Sequence, residues 1–221
     1  MGKMKLVGLR CEYEINPLGI HRTNPLFSWK VETEERNSYQ SAYQIVAAAS
    51  MEMLAVGEYD VWNSGRIASG ENTGIEYAGK ELTSAQRVYW KVRVWNSEGE
   101  VSDYSDPAWF ETGLLKTEDW KGVWMSFLGG MIGNGILMRY YFEGQKKKIR
   151  ARAYVCCTGY YELRLNGKKI GDKLLDPAPT DYSKTLLYST YDVTEALNED
   201  ANTIGFVLGT GWAGLPKVLL Q

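Results

Sequence analysis

Apolar and polar residues alternate along most of this chain with a period of two, the pattern of strands that turn one face to a core and the other to water. Phe27, Trp29 and Val31 alternate with Ser28 and Lys30, and Tyr43, Ile45 and Ala47 alternate with Gln44 and Val46. Val61-Trp62-Asn63-Ser64-Gly65 reads as a strand end running into a turn. The clearest strand is Val88–Trp95, which sets Val88, Trp90, Val92 and Val94 on one face and Tyr89, Lys91, Arg93 and Trp95 on the other. Asn96-Ser97-Glu98-Gly99 closes a hairpin behind it. Further along, Ile149, Ala151, Ala153 and Val155 alternate with Arg150, Arg152 and Tyr154, and Tyr161, Leu163 and Leu165 alternate with Glu162 and Arg164. Asn166-Gly167 follows at once, a strong two-residue hairpin signal, and Ile204, Phe206 and Leu208 form a last alternation. Sustained helical periodicity is absent; a turn or two at Thr194–Leu197, capped by Asp192 or Thr194, is the one helical candidate.

An apolar stripe on a strand has to be covered by a second sheet, so regular strands without helices imply sandwiches. At 221 residues the chain suits two domains of about 110 residues each. The fold class expected is therefore all-β, with two consecutive β-sandwiches. Residues 1–115 form a fibronectin III/Ig-like sandwich whose last strand ends at Phe110-Glu111-Thr112-Gly113. Residues 116–221 form a jelly-roll-like sandwich that opens near Val123-Trp124 and is expected to be cut short at its C-terminal end.

Composition narrows the function classes. The chain is 44% hydrophobic and 24% charged with 8 Trp and 15 Tyr, a globular composition. A formal net charge of −2 gives no field to draw a nucleic-acid backbone or an anionic membrane, so neither is an expected partner. The basic run Lys146-Lys147-Lys148, with Arg150 and Arg152, reads as a solvated turn leading into a strand. Three cysteines, Cys11, Cys156 and Cys157, make no disulfide framework, and the N-terminus carries no apolar leader segment; the expected compartment is the cytoplasm. The lone histidine, His21, leaves no two-histidine metal site and reads as a loop residue. Gly209-Thr210-Gly211-Trp212-Ala213-Gly214 matches a dinucleotide fingerprint in spacing, but no βαβ unit surrounds it and Pro216 interrupts any helix. Gly129–Gly135 does not match even that spacing.

Motifs spread over nearly the whole chain resemble the N-terminal region of bacterial α-L-rhamnosidases. In the first half they are Asn16-Pro17-Leu18-Gly19-Ile20, Asn24-Pro25-Leu26-Phe27-Ser28-Trp29, Trp62-Asn63-Ser64-Gly65, Tyr89–Trp95, Ala108–Gly113 and Asp119-Trp120-Lys121-Gly122. In the second half, Gly159-Tyr160-Tyr161-Glu162-Leu163, Leu175-Asp176-Pro177, Thr180–Lys184, Tyr188–Thr194 and Leu208–Trp212 resemble the jelly-roll, carbohydrate-binding-module-like domain of those enzymes. The resemblance implies a glycoside hydrolase that removes terminal α-L-rhamnose with inversion, using two carboxylates roughly 6.5–9.5 Å apart in an α/α barrel. That barrel is expected to be missing in cis, so the chain alone is expected to be inactive, with no catalytic residue and no metal ligand.

A rhamnose-containing carbohydrate is the expected partner. Asp172, Asp176, Thr180, Asp181, Tyr182 and Trp212 supply the groups a sugar site combines: an aromatic platform for the C–H face of the ring, and carboxylates and hydroxyls for its hydroxyl groups. No cofactor is expected beyond a possible calcium ion in the second domain. The plainer alternative gives these residues structural duties, with Thr180-Asp181-Tyr182 shaping a turn. Two functions follow, an accessory region of a rhamnosidase or a stand-alone lectin-like protein.

Overall fold

The computed structural model describes residues 4–126, 135–144, 150–213 and 216–221, in two compact units, Met1–Asp119 and Trp120–Gln221. The boundary falls a few residues beyond the 115/116 division read from the pattern. The Lys146–Lys148 run, Ile149, Gly129–Asn134 and Gly214 lie outside the described residues.

Among the described residues the first unit is a sandwich of seven antiparallel strands: Lys5–Cys11 (β1), Leu26–Glu32 (β2), Gln40–Ala48 (β3), Trp62–Asn63 (β4), Ile75–Glu76 (β5), Arg87–Asn96 (β6) and Ala108–Glu111 (β7). One sheet runs β1-β2-β5 and the other β4-β3-β6-β7. The β6 alternation holds along the whole strand, with Val88, Trp90, Val92 and Val94 fully buried. Phe27 is the hub of the core, with ring centroids of Trp62, Tyr77, Trp90 and Phe110 at 5.7, 6.4, 4.5 and 5.8 Å. Tilted and edge-on pairs of this kind add to plain burial, because the ring edge of one meets the electron-rich face of the next.

Three features depart from the pattern. β1 is a strand that period two does not reveal, because a bulge at Gly8 (φ +61°) inserts one extra residue between Val7 and Arg10. The bulge lets Leu6 and Leu9, three positions apart, both reach the core. β3 was expected to be half-buried, yet every residue from Ala42 to Ala48 is buried. Its second face is covered by a short helix, Met51–Val56 (α1), whose Leu54 packs with Val46 and Ala48. That helix is a short addition to a chain that is nearly all β, as expected: Ser50 Oγ caps it by accepting the Met53 N–H, and Gly57 ends it in the left-handed region.

Among the described residues the second unit has eight strands: Trp124–Met125 (β8), Ile136–Glu143 (β9), Arg152–Thr158 (β10), Tyr160–Leu165 (β11), Lys168–Lys169 (β12), Tyr188–Asp192 (β13), Ala201–Gly209 (β14) and Lys217–Leu220 (β15). They form two antiparallel sheets, β13-β10-β15-β8 and β12-β11-β14-β9. Asn166 and Gly167 take φ of +52° and +81° between β11 and β12, the left-handed pair such a hairpin needs. A single 3₁₀ turn stands at Thr194–Ala196, with Asp192 Oδ1 accepting the Thr194 N–H at 3.0 Å. Tyr154 lies on the side of β10 read as solvent-facing, but it is buried beside Tyr188, on whose other contact stands Trp120. The core itself is mainly aliphatic, built on Val155, Leu163, Leu165, Phe206, Leu208 and Val218.

β9 is less covered. Tyr140 pairs in register with Ile204 and so shares its inward face, yet it is 66% exposed, and the outward-facing Leu137 is 79% exposed. Beneath Tyr140 the two sheets part around cavities of about 390 and 290 Å³.

Candidate functional site

The six candidate residues sit in loops of the second unit, and the structure divides them into two groups. Asp176 belongs to the first. Its backbone bridges the start of β11, with the Tyr161 N–H donating to its carbonyl at 2.9 Å, and its side chain turns inward. The hydroxyls of Tyr161, Ser189 and Tyr191 converge on one carboxylate oxygen, Oδ2, at 2.6, 2.6 and 2.9 Å. Lys173 Nζ stands 3.8 Å from the other oxygen and donates to Ser189 Oγ at 3.0 Å.

The Tyr161 and Tyr191 oxygens also approach each other to 2.8 Å. Each hydroxyl owns one proton, so three donors around one oxygen form a shared cluster in which the negative charge is spread over the ring. Burial alone would raise the Asp176 pKa. The hydrogen bonds from Ser189 and Tyr161, the charge of Lys173 and the bond from Tyr191 outweigh it, and the carboxyl is held below its ordinary 3.8. The phenols move the other way: desolvation, with the neighbouring carboxylate, pushes Tyr191 up to about 12 and Tyr161 well above the tyrosine range. A carboxylate so engaged pins the 171–187 loop to the sandwich and leaves little for a ligand. Asp172 follows Gly171, which packs against the Tyr191 ring so closely that a Cβ there would stand 2.6 Å from it. Its own side chain is exposed.

The second group gathers around Gly159. The Gly159 N–H donates to the Tyr182 hydroxyl at 3.1 Å, and Gly211 lies so near Gly159 and the Tyr160 ring that a Cβ on it would stand 3.1 Å from both. A Cβ on Gly159 would stand 2.5 Å from the Gly209 carbonyl oxygen, which is why this approach is made by glycines. Trp212 follows directly and is 81% exposed. Tyr160, Tyr182 and Trp212, from three separate segments, are thereby brought to one end of the sandwich. Tyr160 was not singled out from the sequence; the doubled aromatic at the start of β11, one in and one out, was its signal.

Between the groups, Thr180, Asp181 and Tyr182 do build a turn. Thr180 Oγ1 donates to the Thr185 carbonyl at 2.5 Å, and Asp181 Oδ1 accepts the Ser183 N–H and hydroxyl at 3.1 and 2.6 Å. The Ser183 hydroxyl, Lys184 and the Ser183 amide hold the Asp181 carboxyl below its ordinary range. Among the described residues no group of three or more His, Cys, Asp or Glu is placed to hold a metal ion. The stretch after Gly209 turns, with Ala213 N–H donating to Thr210 O, and leads into β15 instead of a helix.

The site's surroundings match known proteins. The family model described as "Rha78A-like, N-terminal immunoglobulin domain" matches residues 6–116, and the one described as "Alpha-L-rhamnosidase N-terminal domain" matches residues 146–217. An α-L-rhamnosidase of Formosa agariphila is 37% identical over 222 residues, covering 90% of this chain and 23% of that protein. The structure of α-L-rhamnosidase from Dictyoglumus thermophilum is similar with a TM-score of 0.91 and 37% identity, over 98% of this chain and 27% of that one. Native α-L-rhamnosidase from Aspergillus terreus is similar at 0.82 and 25% identity, again over 98% and 27%. The chain thus spans about a quarter of the length of the relatives it matches.

Proposed function

Since the chain belongs to the α-L-rhamnosidase family through its two N-terminal-domain matches, we propose that it is a non-catalytic accessory region of a glycoside hydrolase acting on terminal α-L-rhamnosides. It braces or orients the catalytic part and does not break the glycosidic bond. The observation that carries this reading is the extent of the match: both domains align in order with N-terminal domains, over a quarter of each relative. The chemistry of the acidic residues supports it. A general acid for glycoside cleavage needs a raised pKa, whereas Asp176 and Asp181 are both held low by donors. Burial, the neighbouring Cys156 and Asp176 push the Cys157 thiol to about 12, which removes it as a nucleophile. Three buried free thiols support a reducing, cytoplasmic setting.

The test is a p-nitrophenyl α-L-rhamnoside assay. The purified 221-residue chain gives no turnover. Fused to the unmatched three quarters of the Formosa agariphila relative, it restores activity that the remainder lacks by itself. Turnover by the chain alone, or full activity of the remainder without it, overturns the reading.

One observation favours a second role, sugar binding at the end of the sandwich that carries Trp212: its exposed indole is a platform on which a pyranose ring stacks. Calorimetry with L-rhamnose, with and without calcium, tests it. Saturable heat that Trp212→Ala abolishes supports it, and no heat at millimolar sugar defeats it.

A further inference from the structure

Three cations and three aromatic rings alternate on the outer face of the β3–β6 pair in the first sandwich. Arg66 and Arg93 both stand over Trp95, their guanidinium carbons 5.1 and 5.2 Å from its ring centroid. Arg93 also lies 4.9 Å from the Tyr104 ring, and Lys91 Nζ lies 4.7 Å from that ring and 5.8 Å from that of Tyr59. The row follows from β6, whose outward positions align Lys91, Arg93 and Trp95 opposite Val46, Gln44 and Ala42 of β3. Its hydrogen bonds go to neutral oxygens: Arg93 Nε donates to Gln44 Oε1 at 2.8 Å, and Lys91 Nζ to the Leu54 carbonyl at 3.0 Å. None of the three cations forms an ion pair among the described residues, whereas Arg22 and Arg87 of the same unit each have a carboxylate. Like charges placed side by side on shared rings repel, and the row itself holds no carboxylate to offset them.

From this geometry we infer that the face binds an acidic saccharide, the carboxylate of a uronic-acid residue being held by Arg66 and Arg93 beside Trp95. A guanidinium over a ring gains from the electron-rich face while its N–H donors stay in its own plane, where they meet a carboxylate two at a time. The Arg66 side chain is exposed, and neither it nor the terminal nitrogens of Arg93 have a hydrogen-bond partner among the described residues. Those donors are open to a ligand. Lys91, next in the row, strengthens the local field that draws an anion, which the overall charge of −2 conceals. The half-buried rings and the Tyr104 hydroxyl favour a saccharide over an acidic peptide, because they add C–H contacts and a hydrogen-bond partner for sugar hydroxyls to the charge. The inference rests on the accessory-region reading and narrows it: the glycan that the first sandwich holds carries acid groups as well as rhamnose.

Calorimetry on the 221-residue chain at low salt supplies the test, with a D-galacturonate trimer, its carboxyl-reduced neutral counterpart and poly-L-glutamate as probes. The acidic trimer gives saturable heat that weakens as salt is added, and the neutral trimer gives none. Arg66→Gln, a change at an exposed side chain, lowers the affinity about tenfold or more while the melting temperature stays the same. Trp212→Ala leaves the binding as it was, which separates this face from the indole of the second sandwich. No heat at millimolar acidic trimer overturns the inference, and so does equal binding of the neutral trimer or by Arg66→Gln. Binding of poly-L-glutamate as tight as that of the trimer, per carboxylate, overturns it in favour of an acidic peptide. None of these readouts uses rhamnosidase activity. Binding without restored turnover in the fusion therefore counts against the functional reading alone, and restored turnover without binding counts against this site alone.

Discussion

The two sandwiches announce themselves in sequence by the same alternation and end up closed to different degrees. In the first, β6 buries four consecutive inward residues completely, and both faces of β3 are covered, one by the opposing sheet and one by α1. In the second, β9 presents Met138, Tyr140 and Phe142 inward, but Met138 and Phe142 are only half-buried and Tyr140 is 66% exposed. Alternation tells which face of a strand points inward. It does not tell whether anything stands opposite, since that depends on strands far away in the chain or outside it. The first core therefore has its stability in large interlocked aromatics, and the second in a smaller aliphatic core and a polar pin at Asp176.

The largest expected effect breaks the stronger side of the comparison. Trp90 is fully buried with its ring 4.5 Å from that of Phe27. Trp90→Ala removes that wall of the core and costs about 3–5 kcal/mol, read as a collapse of the first unfolding transition in guanidinium. A loss below about 1 kcal/mol would mean that the core repacks. Next is Arg87→Met. Arg87 donates to the fully buried Glu111 at 3.0 Å and stacks over Trp109 at 4.0 Å, so losing it removes a charged hydrogen-bond partner of a buried carboxylate at a cost of about 3 kcal/mol. Arg87→Met with Glu111→Leu recovers part of the loss if the lost charge pairing is its cause.

The equivalent pin in the second sandwich is weaker and depends on pH. Asp176→Asn keeps the shape but weakens three charge-assisted hydrogen bonds, at about 1–3 kcal/mol. The folded-state pKa of Asp176 lies below its ordinary 3.8, so the carboxylate contributes stability that is present above that value and is lost as the pH falls through the folded pKa. Acid titration should thus loosen the second sandwich below about pH 4, with the first transition less affected. Asp176→Asn should flatten that acid limb; an unchanged limb shows that other carboxylates carry it.

How legible these differences were depends on the range of the forces involved. Strands β6 and β11 and the Asn166-Gly167 hairpin were readable because alternation and turn chemistry act over a few residues. β1 escaped because its bulge breaks the period at Gly8, and α1 because six residues are too few for a helical stripe. Ser50 and Gly57 were its visible signals. At the site, Asp176 was picked out as a sugar ligand, but its partners Tyr161, Ser189 and Tyr191 lie 13 to 15 residues away, and only the fold brings their hydroxyls to one oxygen. The Thr180–Tyr182 turn, by contrast, was readable in its plainer form, since Asp181 bonds within its own loop. Gly211, next to Trp212, is brought close to Gly159 and the Tyr160 ring, a proximity that no local pattern encodes.

Smaller effects sharpen the contrast further. Ser50→Ala removes the side-chain cap of α1 and costs about 1 kcal/mol, because the helix it starts covers one face of β3 through Leu54. Tyr140→Ser is the smallest and the most telling. At an inward-facing position in the first sandwich such a change would rank with Trp90→Ala. Here the ring is 66% exposed over a cavity, so stability of the 221-residue chain should shift by no more than about 0.5 kcal/mol. Denaturant titration of the variant measures the shift, and a loss comparable to that of Trp90→Ala would mean that the two sandwiches are closed alike.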